Sequence, residues 1–267
     1  MAGKTSENGY SGECVTQAQN SFLQEFYRYR DGQLVVTPEQ GSRFAKTLAG
    51  DFNPIHDADS RRFCVPGDLL FALVLETYGA SANMHFCFTG MVGGDVPLVF
   101  PENPGERFAI TDDGGKSVIE VERSGAIVDD PNAIESLIRS YVGFSGQNFP
   151  HVLVPLMEEH AVMVNPKRPL VIYERMGFRL PEPLAAAAGV PDPRLKDAVM
   201  TVNGKRGEIR LDYELVIDQS VVAEGSKHLV LSGLRPFDAS DVEQLVADYE
   251  SWKAAYFAGQ PSARALG

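Results

Sequence analysis

The chain is short of cysteine, tryptophan and positive charge. Its 267 residues include one Trp and 3 Cys, and Cys14, Cys64 and Cys87 are too few and too irregularly spaced for a disulfide framework or a zinc site. Lys and Arg number 24 against 36 Asp and Glu, so the formal charge is −12, and no basic cluster offsets it. Because phosphate contacts require a basic surface, nucleic acid is disfavoured as a partner.

Long apolar runs are also missing. The longest, residues 69–75, has seven residues, whereas a membrane-spanning helix needs about 20. Residues 1–16 are polar and contain no apolar stretch of the kind found in a signal peptide. The sequence therefore predicts a cytoplasmic protein that does not enter a membrane, with loose termini at residues 1–16 and 259–267.

The apolar content is nevertheless sufficient for a folded core. Hydrophobic residues make up 44% of the chain, with 15 Phe and 9 Tyr. The most apolar segment, residues 66–78, begins with Pro66 and Gly67 and is followed by Gly79, and it is hydrophobic on all sides. This pattern predicts a fully buried helix, and strand-like segments follow it as far as residue 122.

The order of elements in the first half recurs in the second. An offset of 93 residues aligns residues 31–50 with 124–143 without a gap. The four identities in this alignment are Gly32 with Gly125, Val35 with Val128, Pro38 with Pro131 and Gly50 with Gly143. At an offset of 84, residues 150–162 align with 66–78 and predict a second apolar helix. The nine-residue difference between the offsets predicts a deletion in the second copy of the polar loop at residues 51–59.

The repeat predicts an α+β fold built from two fused units. Residues 17–123 would form the first unit, and residues 124–258 would form the second. The second unit ends in a helix, and a capping box at Ser240 and Glu243 marks the start of that helix. In each unit a curved antiparallel sheet would wrap around one central apolar helix, because that arrangement buries a helix that is hydrophobic on every side. The two units would then pack together as an internal pseudo-dimer.

A polar loop before the first apolar helix contains the residue types that carry chemistry. Residues 44–56 read Phe-Ala-Lys-Thr-Leu-Ala-Gly-Asp-Phe-Asn-Pro-Ile-His, and Pro54 disfavours helical geometry at Asn53. An isolated Asn-Pro between Asp51 and His56 would be typical of a simple turn. The complete string, however, closely resembles the hydratase signature of the MaoC-like dehydratase family, hot-dog proteins that include (R)-specific 2-enoyl-CoA hydratases.

This resemblance implies a double hot-dog fold and a hydratase or dehydratase reaction. Asp51 would accept a proton from water as it attacks the β-carbon of a 2-enoyl thioester, and His56 would orient that water and protonate the α-carbon. Asn53 would orient the loop and Pro54 would fix its bend. The reaction implies no metal and no redox cofactor; CoA or acyl carrier protein enters only as the carrier of the acyl thioester substrate.

The resemblance also assigns a donor for the thioester oxygen. In the family, a backbone N–H at the start of the central helix has this role, and Gly67 is the matching position here. The sequence departs from the family pattern at Pro66, where a His is usual, and at Ala58, where a carboxylate is common. Asp68, directly after the predicted donor, is an unfavourable neighbour for an oxyanion. A plain helix-start glycine is the alternative interpretation of Gly67.

Other activities on this fold stay open at this point. One alternative is a non-catalytic acyl-thioester-binding protein that keeps the fold with a decayed site, and another is an acyl-CoA thioesterase. Residues 63–75 also resemble a bacterial branch of the family, so an organism-specific role is a further alternative. The pseudo-dimer could in addition pair again as a homodimer.

Several further residues have ordinary structural explanations. His151 is interpreted as a surface histidine rather than a pocket residue, and Cys64 and Cys87 as inert core thiols. Lys205 and Arg206 are interpreted as a solvated hairpin tip rather than a CoA phosphate contact. The adjacent residues 158–160, Glu-Glu-His, point in different directions on a helix and are discarded as metal ligands.

Overall fold

The computed structural model describes residues 21–146, 149–166, 170–184 and 189–259, which contain a ten-stranded antiparallel sheet and helices. The predicted α+β class is thereby confirmed. The predicted loose termini, apart from Gly259, and Cys14 lie outside these residues. The strands are β1 (Arg28–Arg30), β2 (Gln33–Val35), β3 (Ala80–Phe88), β4 (Leu98–Val99), β5 (Arg107–Asp112), β6 (Ser117–Val128), β7 (Val162–Met163), β8 (Val171–Arg179), β9 (Asp192–Asn203), β10 (Arg206–Ile217), β11 (Ser220–Ser232) and β12 (Arg235–Pro236).

The helices differ in length and type. The α-helices are α1 (Pro38–Phe44), α2 (Gly67–Tyr78), α3 (Pro131–Gly146), α4 (Val154–Glu159) and α5 (Ala239–Ala258). The 3₁₀ segments are Phe22–Phe26 and Pro54–His56, and the π-helical segments are Ala45–Ala49 and Phe149–Leu153. Among the described residues, no helix is both long enough and apolar enough to span a membrane.

The large sheet joins the two halves of the chain at its centre. Its strand order is β1-β2-β4-β5-β6-β3-β8-β11-β10-β9, and β7 pairs with β12 in a separate two-stranded sheet. The junction is the antiparallel pair β3 and β8, in which Met84 faces Phe178 and Phe86 faces Met176. All four side chains are buried in one hydrophobic cluster, so the two halves share this core.

Helix α2 is buried on every side, as its sequence predicts. All residues from Asp68 to Leu75 are buried. Pro66 is the N-cap residue, and Gly79 follows the helix with a φ of 74° that favours glycine. An added Cβ at Gly79 would lie 2.7 Å from the carbonyl oxygen of Val128, so glycine is also required by close approach of β6.

The first part of the predicted repeat has the same local structure in both copies. Val35 ends β2 and Pro38 begins α1, while Val128 ends β6 and Pro131 begins α3. In both copies proline occupies the first helical position, where its missing N–H costs no helical hydrogen bond.

The second part of the repeat differs from its prediction. Residues 150–162 were expected to form one apolar helix like α2, but the chain forms the π-helical segment Phe149–Leu153 and then the six-residue helix α4. Pro155 lies at the start of α4, where it cannot donate a backbone hydrogen bond to the preceding turn. His151, Pro155, Glu158 and Glu159 are exposed, so this helix covers one side of a second, smaller core instead of filling the centre of a sheet.

Strand β6 continues to Val128, past the predicted end at residue 122, so the predicted boundary between the units at residues 123 and 124 lies inside a strand. Gly125 has a φ of 86° where the pairing register of β3 and β6 shifts. A glycine in this conformation permits a β-bulge, which bends the strand without ending it.

Helix α5 also begins differently from its prediction. Its N-cap is Asp238, whose Oδ1 accepts a hydrogen bond from the N–H of Asp241 at 3.1 Å, in place of the predicted cap at Ser240. One face of the helix carries Val242, Leu245 and Tyr249, which are all buried. This face packs against the smaller core and the polar loop that follows α1.

Candidate active site

The polar loop is fixed by its own backbone and side chains. The π-helical turn ends at Gly50, whose φ of 69° lies in the left-handed region, and the N–H of Asp51 donates to the carbonyl of Ala45 at 2.8 Å. Asp51 Oδ1 accepts from the N–H of Asn53 at 2.8 Å, and Asn53 Oδ1 accepts from the N–H of Ile55 at 3.2 Å. Asn53 is thus the cap of the short 3₁₀ segment that carries the histidine.

Asp51 and His56 face each other at the end of this loop. His56 Nε2 lies 3.7 Å from Asp51 Oδ2, and the side chains are only 9% and 17% exposed, respectively. This separation is longer than a direct hydrogen bond. His56 Nδ1 lies 2.7 Å from the carbonyl oxygen of Cys64, which can only accept, so Nδ1 carries a proton. Nε2 is therefore the ring nitrogen that faces Asp51.

Asp51, Asn53, His56 and Gly67 all line one cavity of about 310 Å³. This volume is at the lower end of the range usual for ligand pockets. The fold therefore brings together the four residues that the sequence predicts for one site, although Gly67 is separated from the loop along the chain.

Gly67 lies at the first position of α2, beside the ring of Phe88. An added Cβ would lie 3.2 Å from Phe88 Cε1, so glycine allows close packing at this wall of the cavity. Backbone N–H groups in the first turn of a helix have no intrahelical partner, and the helix dipole places partial positive charge there. The start of α2 is thus suited to donate hydrogen bonds to a ligand oxygen.

The second half of the chain supplies much of the cavity wall. The apolar lining residues of this half come from the π-helical segment, β8, β11 and α5, and they include Phe149, Leu153, Val171, Leu229 and Trp252. The wall contributed by the second half is consequently mostly apolar, while the polar loop contributes Asp51 and His56.

A buried charged cluster beside the cavity was not predicted from the sequence. Lys227 of β11 is fully buried, and its Nζ lies 3.1 Å from Asp68 Oδ1. The same ammonium donates to Ser145 Oγ, and Ser145 donates to Asp68 Oδ2 at 2.5 Å. The negative charge of Asp68 is therefore compensated by Lys227. Asp68 consequently does not repel negative charge that develops near Gly67.

The rings of two tyrosines enclose the same ammonium. Lys227 Nζ lies 3.5 Å from the ring centroid of Tyr173 and 5.3 Å from that of Tyr141. Burial lowers the pKa of Lys227, and the nearby carboxylates of Asp68 and Asp51 oppose that decrease. Asp51 thus interacts electrostatically with the cluster.

One signal in the sequence could have revealed Lys227. Alternate residues of a strand point to the same face, and Lys227 shares its face with Leu229 and Leu231. A lysine on an otherwise apolar strand face requires a buried anion, which here is Asp68.

Helix α5 holds the polar loop in place. The hydroxyl of Tyr249 donates to the carbonyl of Gly50 at 3.0 Å and accepts from the N–H of Phe52 at 3.4 Å. The ring of Phe52 also packs edge-on against Tyr249, with centroids 5.9 Å apart. The C-terminal helix therefore clamps the segment that carries Asp51.

We expect Tyr249→Phe to lower the free energy of unfolding by about 1 kcal/mol, because a half-buried carbonyl and a buried N–H lose a partner while the ring contact remains. Thermal unfolding would show a decrease of roughly 2–4 °C in the midpoint. Tyr256→Phe is the matched control, since Tyr256 contacts Phe52 through its ring. Equal decreases in both variants would contradict a specific role for the Tyr249 hydroxyl.

The remaining predicted residues lie away from this chemistry or serve as wall. His151 is exposed, and among the described residues no group of three metal-ligating side chains is found. Arg206 at the hairpin tip forms ion pairs with Glu174 and Glu208. Cys64 lines the cavity, and burial raises the pKa of its thiol to about 11, so it stays protonated and unreactive.

The chain matches a family model over most of its length. A family model described as "Protein of unknown function (DUF3581)" matches residues 21–240. The chain belongs to this family. No curated protein matches this DUF3581 member.

Similar solved structures include hot-dog proteins and a MaoC-like dehydratase. A conserved protein of unknown function with a hot-dog fold from Alicyclobacillus acidocaldarius has 10% identity and a TM-score of 0.43, covering 80% of this chain and 98% of that chain. A MaoC-like dehydratase has 10% identity and a TM-score of 0.37, covering 76% and 97%. Acyl-CoA thioesterase II TesB2 from Mycobacterium marinum has 10% identity and a TM-score of 0.36, covering 65% and 90%. At such identities, the activity of the DUF3581 member must be inferred from its own site.

Proposed function

We propose that this DUF3581 member is a hydro-lyase that reversibly adds water to a trans-2-enoyl thioester and gives an (R)-3-hydroxyacyl thioester. The observation that carries the proposal is the pairing of Asp51 Oδ2 with His56 Nε2, 3.7 Å apart at the wall of a cavity. At this spacing, one water beside the two atoms can form a hydrogen bond with each of them. General acid–base catalysis on water requires this geometry.

In the proposed reaction, Asp51 accepts a proton while the water oxygen bonds to the β-carbon. The electron pair of the C=C bond moves onto the thioester oxygen, and protonated His56 then delivers its Nε2 proton to the α-carbon. Transfer of the proton from Asp51 to His56 restores the starting state, so one water is consumed and no redox change occurs. The bond from His56 Nδ1–H to the Cys64 carbonyl keeps Nε2 directed at the reacting atoms.

The cavity supports an acyl substrate. Its wall is mostly apolar, and Asp51 and His56 lie together on the polar loop, which suits an acyl chain with a polar thioester at one end. Gly67 would present its N–H to the thioester oxygen as negative charge develops there. CoA or acyl carrier protein would be the carrier of the substrate, and the proposed reaction needs no further cofactor.

We also propose that the architecture is a double hot-dog, an internal pseudo-dimer of the MaoC-like type. Support comes from the β3–β8 junction, which joins two antiparallel halves, and from the strand–proline–helix pattern that both copies share. The second copy has lost the catalytic loop and the long central helix. In this proposal its role is to complete the cavity, and two copies of the chain could pair again.

Crotonyl-CoA tests the proposed activity directly. We expect the purified protein to remove the absorbance of the enoyl thioester and to yield 3-hydroxybutyryl-CoA, with chromatography on a chiral column showing the (R) product. Release of free CoA from butyryl-CoA without hydration would indicate a thioesterase instead. Calorimetric binding of either thioester without turnover would indicate a non-catalytic binding protein.

A further inference from the structure

The hydroxyl of Tyr173 belongs to the buried cluster and is able to turn towards a ligand. It lines the cavity on β8, and its oxygen lies 3.2 Å from Ser145 Oγ. Ser145 also lines the cavity, but its hydrogen bonds are directed elsewhere.

The chemistry of the partners determines the direction of those bonds. Lys227 can only donate and the carboxylate of Asp68 can only accept, so Ser145 accepts from Lys227 and donates its single hydrogen to Asp68. The hydrogen between Tyr173 and Ser145 must then belong to Tyr173. A phenol O–H can rotate from one acceptor to another, whereas the serine hydrogen is fixed by the ion pair.

The ammonium of Lys227 lies against the ring of Tyr173. Nζ lies 3.5 Å from the centroid of the ring, where a cation withdraws electron density and restrains the side chain. Burial and the charge of Asp68 keep the pKa of Tyr173 well above its ordinary value, so the hydroxyl retains its hydrogen under assay conditions.

The cluster is attached to the start of α2. Asp68, which accepts from Ser145 and Lys227, is the residue after Gly67, so Tyr173 is connected through Ser145 to the turn that carries the proposed backbone donor. A hydroxyl and a backbone N–H would therefore approach a ligand oxygen from two separate elements, β8 and α2.

We propose that the Tyr173 hydroxyl is a second hydrogen-bond donor to the thioester oxygen of the substrate, beside the N–H of Gly67, and that Ser145, Asp68 and Lys227 position it. This assignment rests on the proposed function. On binding, the O–H turns from Ser145 to the thioester oxygen and stabilises the enolate that forms there. No proton is transferred from Tyr173. The positive charge of Lys227 behind the ring adds to the stabilisation.

Tyr173→Phe removes the donor while preserving the ring over Lys227. We expect kcat for crotonyl-CoA hydration to decrease about 10²-fold, as is typical when one oxyanion donor is lost. Tyr141→Phe is the matched control, because its ring also faces Lys227 but the residue belongs to the larger hydrophobic core. This control should retain the wild-type kcat.

A second measurement is independent of turnover. Butyryl-CoA with a ¹³C-labelled thioester carbonyl should show a lowered carbonyl stretching frequency in the infrared when bound to the wild-type protein. We expect Tyr173→Phe to lose part of this shift and Tyr141→Phe to keep it.

The outcomes separate this inference from the proposed function. A Tyr173-dependent carbonyl shift without any hydration by the wild-type protein would support the donor and overturn the hydratase assignment. Normal hydration with a shift and kcat that do not change in Tyr173→Phe would overturn the donor alone. Absence of butyryl-CoA binding to the wild-type protein would overturn both.

Discussion

Replacement of Asp51 by asparagine should reduce the rate of crotonyl-CoA hydration by about 10²- to 10⁴-fold, the usual contribution of a positioned general base. The carboxylate is the group in the proposed reaction that takes a proton from water, and an amide cannot do so. The substitution should leave the loop folded, because the side-chain oxygen of asparagine can still accept from the N–H of Asn53 as Asp51 Oδ1 does. Steady-state kinetics with purified variants would measure the effect mainly in kcat.

Asp57→Asn is the matched control for this experiment. Asp57 belongs to the same loop and carries the same charge, but it forms an ion pair with Lys46 at 2.7 Å and its side chain is 37% exposed. We expect it to keep a rate close to that of the wild type. A hydration rate for Asp51→Asn equal to that of Asp57→Asn would refute Asp51 as the base, whatever the thermal stability of the two variants.

The polar loop could be predicted because its geometry is local. Gly50 supplies a left-handed residue, Asp51 and Asn53 accept from backbone N–H groups two residues later, and Pro54 begins the short helix that carries His56. Each of these features depends on neighbours within a few positions. Helix α2 was equally predictable, because its termini and its uniform hydrophobicity both depend on consecutive residues.

Features that depend on distant contacts could not be predicted in the same way. The strand that contains Gly125 continues past residue 122 because it pairs with β3, and Gly125 lies at a bulge in that pairing. The clamp formed by Tyr249 and the Gly50 carbonyl joins residues 199 positions apart. No local pattern predicts such a pairing, so the contribution of α5 to the candidate active site emerged only from the fold.

The buried ion pair is the clearest case, because Lys227 and Asp68 are 159 positions apart. We expect Lys227→Met to lower the free energy of unfolding by about 3–5 kcal/mol, since the carboxylate of Asp68 would remain in the core without its cation. Urea unfolding followed by circular dichroism would measure this loss. Lys196→Met is the matched control, because Lys196 forms ion pairs with Glu214 and Glu224 at the surface, where such pairs contribute about 1 kcal/mol or less.

Removal of Asp68 and removal of Lys227 should lower the free energy of unfolding by different amounts. Asp68→Asn removes the anion that Lys227 contacts directly, but burial already lowers the pKa of this lysine, so the amine can lose its proton and become neutral. We therefore expect Asp68→Asn to cost less than Lys227→Met. The double variant Asp68→Asn/Lys227→Met contains no buried charge in this cluster, so its loss should be smaller than the sum of the two single losses by more than 1 kcal/mol. Strictly additive losses would mean that the two charges do not stabilise each other.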